Sequence, residues 1–301
     1  MSLPLRLAEE VAEALAGRRA VVALETTAIA HGLPFPANLA LVGRQQEMIR
    51  AKGAVPAVIG LWKGEVCIGL DDGLLEAFAL GQDFAKVSRR DLAAVLAKGE
   101  PGATTVAGTM VCAAAAGIRL FATGGIGGVH RGGADSLDIS ADLAELGRTA
   151  VAVVSAGAKA ILDLPRTLEV LESEGVPVVG WKTDDFPAFY TRHSGLRVSA
   201  RVDNATEAAA LLRAQWSAGL AGVLIANPVP EAAALPEEDV EDWIVEALQE
   251  IGGVVGKDLT PYLLRRLAEL SKGATSRCNE ALLEHNAEVA AEIAAALAAS
   301  Q

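Results

Sequence analysis

Three observations predict an α/β fold built on a largely parallel sheet with helices on both faces. Short β-branched runs alternate with Ala- and Leu-rich stretches of helical spacing along the whole chain. The runs Val151–Ser155 and Val223–Ala226 lack polar alternation, as strands buried on both faces do. Aromatic residues make up 4% of the chain against 51% apolar. Small side chains must therefore fill the interior, which lets layers approach closely.

The elements follow in order. Met1 to Arg19 carries Leu7, Val11 and Leu15 at helical spacing, interrupted by Arg6, Glu9, Glu10 and Glu13. The charges argue against a signal peptide, and the spacing predicts an amphipathic helix. Strands are expected at Ala20–Leu24, Pro56–Leu61, Glu65–Gly69, Leu120–Thr123, Ala150–Ser155, Val176–Gly180, Val198–Val202 and Gly222–Ala226. The second and third, joined by Trp62-Lys63-Gly64, read as a hairpin, which would make the sheet mixed. Helices are expected at Pro36–Lys52, Asp72–Leu80, Arg90–Lys98, Thr105–Ala116, Ser140–Gly147, Leu164–Glu174, Asn204–Ala218 and Glu237–Glu250. The chain closes on a helical pair: one helix capped by Thr260 with Pro261 at its first position, ending near Gly273, and one from about Arg277 to Ala299. No low-complexity linker or internal repeat divides residues 1–301, so one domain is expected.

Composition excludes several classes. A net charge of −12 and few aromatics disfavour nucleic acid and anionic membranes as partners. No apolar run reaches the roughly 18 residues of a membrane span, so a cytoplasmic protein is expected. Cys67, Cys112 and Cys278 lie far apart, without metal or redox spacing, and read as buried thiols. The motifs G-x-x-x-x-G-K-[ST], H-E-x-x-H and G-x-S-x-G are absent, and a G-x-G-x-x-G reading from Gly125 fails at His130.

Five segments stand out chemically. Gly124-Gly125-Ile126-Gly127-Gly128 follows an expected strand and runs on to His130 and Arg131. Such a loop is either a tight turn or an anion or sugar site with exposed N–H groups. Lys86-Val87-Ser88-Arg89-Arg90 is a basic element in an acidic chain, with Lys86 as the candidate phosphate contact and at least one arginine solvated. Asp138 and Asp142 bracket an expected helix start, as caps or as a corner for a hard cation or hydroxyl. Lys159 follows an apolar strand among small residues, either as a snorkelling surface lysine or as a desolvated amine suited to nucleophilic attack. Glu25 ends the first strand, where a carboxylate points toward the ligand crevice of a parallel sheet and can serve as an acid, or simply pair with a base.

Taken in order, ALETTAIAHGLPFPAN, KVSRRDL, GATTVAGTM, FATGGIGGVHRG, LDISADL, AGAKAILDL and GKDLTPYLLRRLAEL resemble the pseudouridine-5′-phosphate glycosidase family, also called the indigoidine-synthase-A-like family. The resemblance runs from residue 23 to about residue 290. It implies a three-layer α/β/α fold, a homotrimer, and cleavage of the C–C glycosidic bond of pseudouridine 5′-phosphate. It implies Lys159 as nucleophile and Glu25 as proton donor. Lys86, Val106, His130, Ser140, Ala141, Asp142 and Asn286 (rather than Asn279) would contact substrate, and Asp138 would hold Mn²⁺ or another divalent cation. Thr26 stands where the family pattern leads one to expect Ser. A sugar-phosphate-binding protein without turnover is the rival from another class; it would need neither an acid nor a desolvated amine.

Overall fold

The computed structural model describes residues 3–81, 84–131, 137–250, 252 and 259–299. Among them, strands β1 (Leu5–Leu7), β2 (Val21–Glu25), β3 (Val55–Trp62), β4 (Glu65–Ile68), β5 (Ala85–Val87), β6 (Gly102–Thr104), β7 (Leu120–Ala122), β9 (Ala152–Ser155), β11 (Val178–Trp181), β12 (Ala200–Val202) and β13 (Val223–Ala226) join one sheet. Its main order is β1-β4-β3-β2-β7-β9-β13-β11-β12, with β6 on β3 and β5 on β6. Strands β8 (Val129–His130) and β10 (Leu162–Asp163) form a separate antiparallel pair. The sheet is mixed as anticipated: β3 is antiparallel to β4 and to β6, and the remaining pairs are parallel.

Strand alternation divides the interior. On β2, Val21 and Ala23 enter one apolar cluster while Val22 and Leu24 enter the other. On β13, Leu224 faces the first and Val223 and Ile225 the second. The first cluster is covered by α1 (Glu9–Ala16), α5 (Leu92–Lys98), α6 (Val106–Ala115), α7 (Ala141–Leu146), α8 (Leu164–Ser173), α10 (Glu237–Gln249) and α11 (Leu259–Leu270). The second is covered by α2 (Thr27–Ala30), α3 (Ala37–Ala51), α4 (Asp72–Leu80) and α9 (Ala205–Ser217). The long helix α12 (Ala274–Ala298) serves both: Cys278, Leu282 and Leu283 pack in the first cluster, and Ala287 to Leu297 in the second. This is the three-layer α/β/α arrangement.

Side-chain caps start the helices where the sequence places them. Asp71, Thr105, Ser140, Asp163 and Asn204 each accept a hydrogen bond from a backbone N–H two or three residues on. Two expectations are corrected. The N-terminal segment is not one helix: Leu5–Leu7 pairs in parallel with Val66–Ile68, and only Glu9–Ala16 is helical. Without that pairing the β4 edge would leave its backbone groups unpartnered, so tertiary pairing overrides helical spacing. Thr260 and Pro261 lie inside the first turn of α11, which already includes Leu259, so Thr260 does not precede the helix. The three cysteines are buried and unpaired.

The sheet topology locates a crevice. Register places Leu24 beside Ala122, Ala122 beside Val154 and Val154 beside Ile225. Glu25, Thr123 and Ser155 therefore follow along one carboxyl edge. From β2 the chain moves outward to β3, and from β7 it moves the opposite way to β9. The β2–β7 boundary is thus a switch point, where a crevice opens outside the strand ends.

Candidate active site

At this boundary lies a cavity of about 410 Å³. Its walls include Glu25, Lys86, Val106, His130, Asp138, Ser140, Ala141, Asp142 and Lys159, residues that the sequence scatters between positions 25 and 159.

Glu25 enters from the end of β2. Its Oε2 accepts from the Thr27 hydroxyl and its Oε1 from the Thr123 hydroxyl. A hydroxyl both donates and accepts, so either threonine can also receive a proton held by the carboxyl. The next residue anchors the strand end. Thr26 is fully buried; its hydroxyl donates to the Ile59 carbonyl at 2.8 Å and accepts from the Thr104 N–H at 2.9 Å. The position keeps its hydroxyl, and that hydroxyl ties β2 to β3 and β6.

Lys159 comes from the loop after β9. That loop pairs with the glycine loop: Ile126 N donates to the Gly157 carbonyl at 3.0 Å, and Lys159 N to the Ile126 carbonyl at 3.1 Å. The half-buried Lys159 side chain reaches back so that Nζ donates to the Gly125 carbonyl at 2.9 Å.

The glycine loop lines the cavity through Gly124, Gly125 and Gly127, and part of it serves packing. Gly127 N is spent on Asp142 Oδ2 (2.8 Å), and Val129 N on the Thr167 hydroxyl (3.0 Å). The glycines permit close packing. A Cβ at Gly125 would lie 2.6 Å from the Phe189 ring, and one at Gly127 would lie 2.2 Å from Ser140 Oγ. Arg131 is likewise withdrawn from anion binding: its guanidinium grips both Glu241 oxygens at 2.6 and 2.8 Å, which lowers the Glu241 pKa.

Asp142 is 6% exposed and bridges two elements, accepting from Ala107 N at 2.9 Å as well as from Gly127 N. It thereby occupies the N-terminus of α6, which Val106 begins. Ser140 caps α7 through a bond from Asp142 N at 3.2 Å. Asp138 accepts from His130 N through its backbone carbonyl at 3.1 Å, and its side chain lies on the cavity wall.

Cations collect here despite the acidic chain. Lys86 lies in β5 opposite Ala103, and Arg90 stands at the rim with Lys159 further in. Arg89 instead turns to Glu145. Burial lowers the His130 pKa; Asp138 opposes this, and the charges of Lys159 and Lys86 add to it. Burial also lowers His31, with Lys86 contributing and the Phe84 backbone opposing. Both imidazoles are thus held toward the neutral form beside the lysines. Three carboxylates, Glu25, Asp138 and Asp142, share the walls with these three cations, so the pull on an anionic ligand is local to the cationic side chains.

Asn286 requires a correction. It is fully buried and absent from the cavity wall; its Nδ2 donates to the carbonyls of Thr123 (2.7 Å) and Gly124 (3.3 Å). Asn279, one turn before Leu283, is the asparagine that lines the cavity. Positions 279, 283 and 286 share one helical stripe, so periodicity alone cannot say which reaches the opening. Thr27, His31, Ser88, Arg90, Thr105, Thr123, Phe189 and Thr260 also line the cavity and were not singled out. A threonine directly after a buried strand neighbouring β2 is the signal that could have found Thr123.

Among the described residues, no three His, Cys, Asp or Glu side chains gather as a metal cluster. Of the three carboxylates in the cavity lining, Glu25 is engaged by two threonine hydroxyls and Asp142 by two backbone N–H groups, which leaves Asp138 as the carboxylate to consider for a cation. That suits a hard cation that keeps several waters and rejects a caged site.

A family model described as Indigoidine synthase A like protein matches residues 10–296. A curated protein of Caldanaerobacter subterraneus subsp. tengcongensis, named pseudouridine-5′-phosphate glycosidase, is 52% identical over 97% of this chain and 96% of its own length. One of the same name from Sorangium cellulosum is 53% identical over 97% and 93%. Among solved structures, the prealnumycin C-glycosynthase AlnA in complex with ribulose 5-phosphate matches with a TM-score of 0.92 and 44% identity, covering 99% of this chain and 98% of that one. An indigoidine synthase A-like protein from Thermotoga maritima matches with a TM-score of 0.90 and 37% identity, covering 98% and 97%.

Proposed function

The chain belongs to the indigoidine synthase A-like family, and from that premise we propose that it is a pseudouridine-5′-phosphate glycosidase, reversibly converting pseudouridine 5′-phosphate and water to uracil and ribose 5-phosphate. The observation that carries this reading is the meeting of Glu25 and Lys159 in one cation-bearing cavity. Relatives of that name at about half identity support the substrate, and the ribulose 5-phosphate bound to the C-glycosynthase supports a pentose-phosphate site.

The chemistry explains the residues. The base leaves from carbon, so protonating a heteroatom leaving group, as ordinary glycosidases do, is no help. Glu25 protonates the ribose ring oxygen while Lys159 Nζ attacks C1′. The C1′–O bond breaks and the N–C1′ bond forms, giving an open-chain amine adduct. The adduct nitrogen then gives up a proton and its lone pair expels the base: C1′–C5 breaks, its electron pair goes to the uracil ring, C5 takes up the proton that the nitrogen released, and C1′ is left as an iminium. Water hydrolyses the iminium to ribose 5-phosphate and frees the lysine.

Lys86 and His130 hold the phosphate, with Arg90 at the rim. Val106, Ser140, Ala141 and Asp142 shape the sugar side. Asp138 would hold Mn²⁺ or another divalent cation, which supplies positive charge near the substrate through bound water. We further propose a cytoplasmic homotrimer. Among the described residues no helix is long and apolar enough to cross a membrane. Sedimentation should give three times the 31.0 kDa chain mass.

The test is incubation of the purified protein with pseudouridine 5′-phosphate, with and without Mn²⁺, followed by chromatography for free uracil. Uracil release, and a pentose-phosphate mass on Lys159 after borohydride reduction, are expected. No uracil above background overturns the substrate; a turnover-competent Lys159→Ala overturns the nucleophile.

A further inference from the structure

Behind the cavity wall, three residues outside the cavity form a chain of hydrogen bonds whose orientation is forced at every link. It begins at the carbonyl oxygens of Thr123 and Gly124, which can only accept. Asn286 must therefore turn its amide nitrogen toward them, at 2.7 and 3.3 Å, and its Oδ1 away. That Oδ1 accepts from Asn227 Nδ2 at 2.9 Å, so the Asn227 amide is fixed as well. The Asn227 nitrogen also lies 3.1 Å from His285 Nδ1. Two donors cannot face each other, so Nδ1 must carry a lone pair and the ring proton must sit on Nε2. Reversing the Asn286 amide would set its oxygen against the Thr123 and Gly124 carbonyls, and reversing that of Asn227 would set its oxygen against Asn286 Oδ1.

The Thr123 end of the chain touches both reacting side chains through one short backbone stretch. The Thr123 hydroxyl donates to Glu25 Oε1. Two residues on, the Gly125 carbonyl receives Lys159 Nζ at 2.9 Å. The Gly124 carbonyl, between them, also accepts from Ala156 N at 2.8 Å, in the loop that carries Lys159. We infer that His285, Asn227 and Asn286 act as positioning residues, an amide relay that sets Thr123–Gly125 so that the Glu25 carboxyl and the Lys159 amine are aligned together. The inference rests on the roles proposed above for Glu25 and Lys159.

The surroundings of His285 agree with a neutral ring. Burial lowers its pKa and Arg192 adds to this; Glu288, Glu292 and the Pro228 backbone oppose it. Lys52 holds both of those glutamates, at 2.8 and 2.7 Å.

Two measurements on the full chain test the relay. The first is ¹⁵N spectroscopy of histidine-labelled protein, with the His285 signals assigned by their loss in His285→Gln. A neutral ring protonated on Nε2, persisting to lower pH than the same ring in the urea-unfolded chain, is expected. A ring protonated on Nδ1, or titration as in the unfolded chain, overturns the relay. The second is kinetics of Asn286→Leu and Asn227→Leu, near-isosteric changes that delete the donors. Uracil release should fall about 10- to 100-fold in kcat with KM changed less than about threefold, as misplacement without lost substrate contacts predicts. Wild-type kcat per folded molecule in either variant overturns it. Should the wild-type protein release no uracil, the substrate reading fails, and the histidine spectrum still decides the relay.

Discussion

Arg89 and Glu145 meet end to end: Nε donates to Oε2 at 2.5 Å and Nη2 to Oε1 at 2.6 Å. The Glu145 side chain is 2% exposed and that of Arg89 48% exposed. The pair joins the turn after Lys86 to the helix that carries Asp142, and both Lys86 and Asp142 line the cavity. The Thr149 hydroxyl adds a third bond to Glu145. Deleting the guanidinium strands a buried carboxylate. Arg89→Ala should cost about 1–3 kcal/mol in urea unfolding, toward the low end because the arginine is half exposed. Its KM for the phosphate substrate should rise more than its kcat falls. An unchanged KM would show that the pair does not set the position of Lys86.

Asp142 makes a sharper demand. Both carboxylate oxygens accept from backbone N–H groups, Ala107 on one side and Gly127 on the other. Asn keeps the shape but must turn its NH₂ toward one of those donors. Asp142→Asn should therefore lose about 1–3 kcal/mol and lower turnover, because Gly127 leads into the strand that carries His130. Equilibrium unfolding and uracil release check the two effects separately.

Three of the four histidines, His31, His130 and His285, have pKa values lowered by burial. The unfolded chain binds protons at these rings below about pH 6.5, where the folded chain still resists them. The unfolded state then holds more protons, so stability is full above that pH and falls as pH drops through the window. Each histidine can contribute up to about 1.4 kcal/mol per pH unit there. Melting temperature measured between about pH 7.5 and about pH 5 should decline, and His130→Gln should flatten part of the slope. A pH-independent melting temperature across this window would contradict the burial argument.

Local pattern made much of this molecule legible. Unbroken apolar runs marked β9 and β13, and the capping residues Ser140 and Asn204 marked helix starts, because these signals arise within a few residues. Strands β5 and β6 were missed because Ala85–Val87 and Gly102–Thr104 are three residues long and carry no apolar run. They are strands only because β3 offers an edge. In the site, Glu25 stood out as a carboxylate at a strand end and Lys159 as a lysine among small residues. Which arginine would face the cavity could not be read. Arg89 and Arg90 are adjacent, and the choice is made by Glu145, 56 residues away. The packing role of the glycine loop was hidden for a related reason. The space that a Cβ at Gly125 or Gly127 would need is taken by Phe189 and Ser140, from segments distant in sequence.

The two threonines on Glu25 lead to a final prediction. Thr123 is 1% exposed and its hydroxyl meets Oε1, while Thr27 meets Oε2. Valine replaces the Thr123 hydroxyl by a methyl group of similar size, so packing behind the carboxyl is kept and one oxygen loses its partner. If Glu25 delivers a proton to the ring oxygen, the geometry of that carboxyl controls the first step, and substrate affinity depends on other walls. Thr123→Val should therefore lower kcat about tenfold, less than the roughly 10²- to 10⁴-fold that a positioned acid itself contributes, and leave KM within about threefold. Glu25→Gln, which cannot donate an acidic proton, should fall about 10²- to 10⁴-fold while still binding ribose 5-phosphate in calorimetry. In the double variant, Thr123→Val should add nothing to the loss in kcat, because the threonine acts only through the carboxyl. Additive losses would place the Thr123 hydroxyl on the substrate itself.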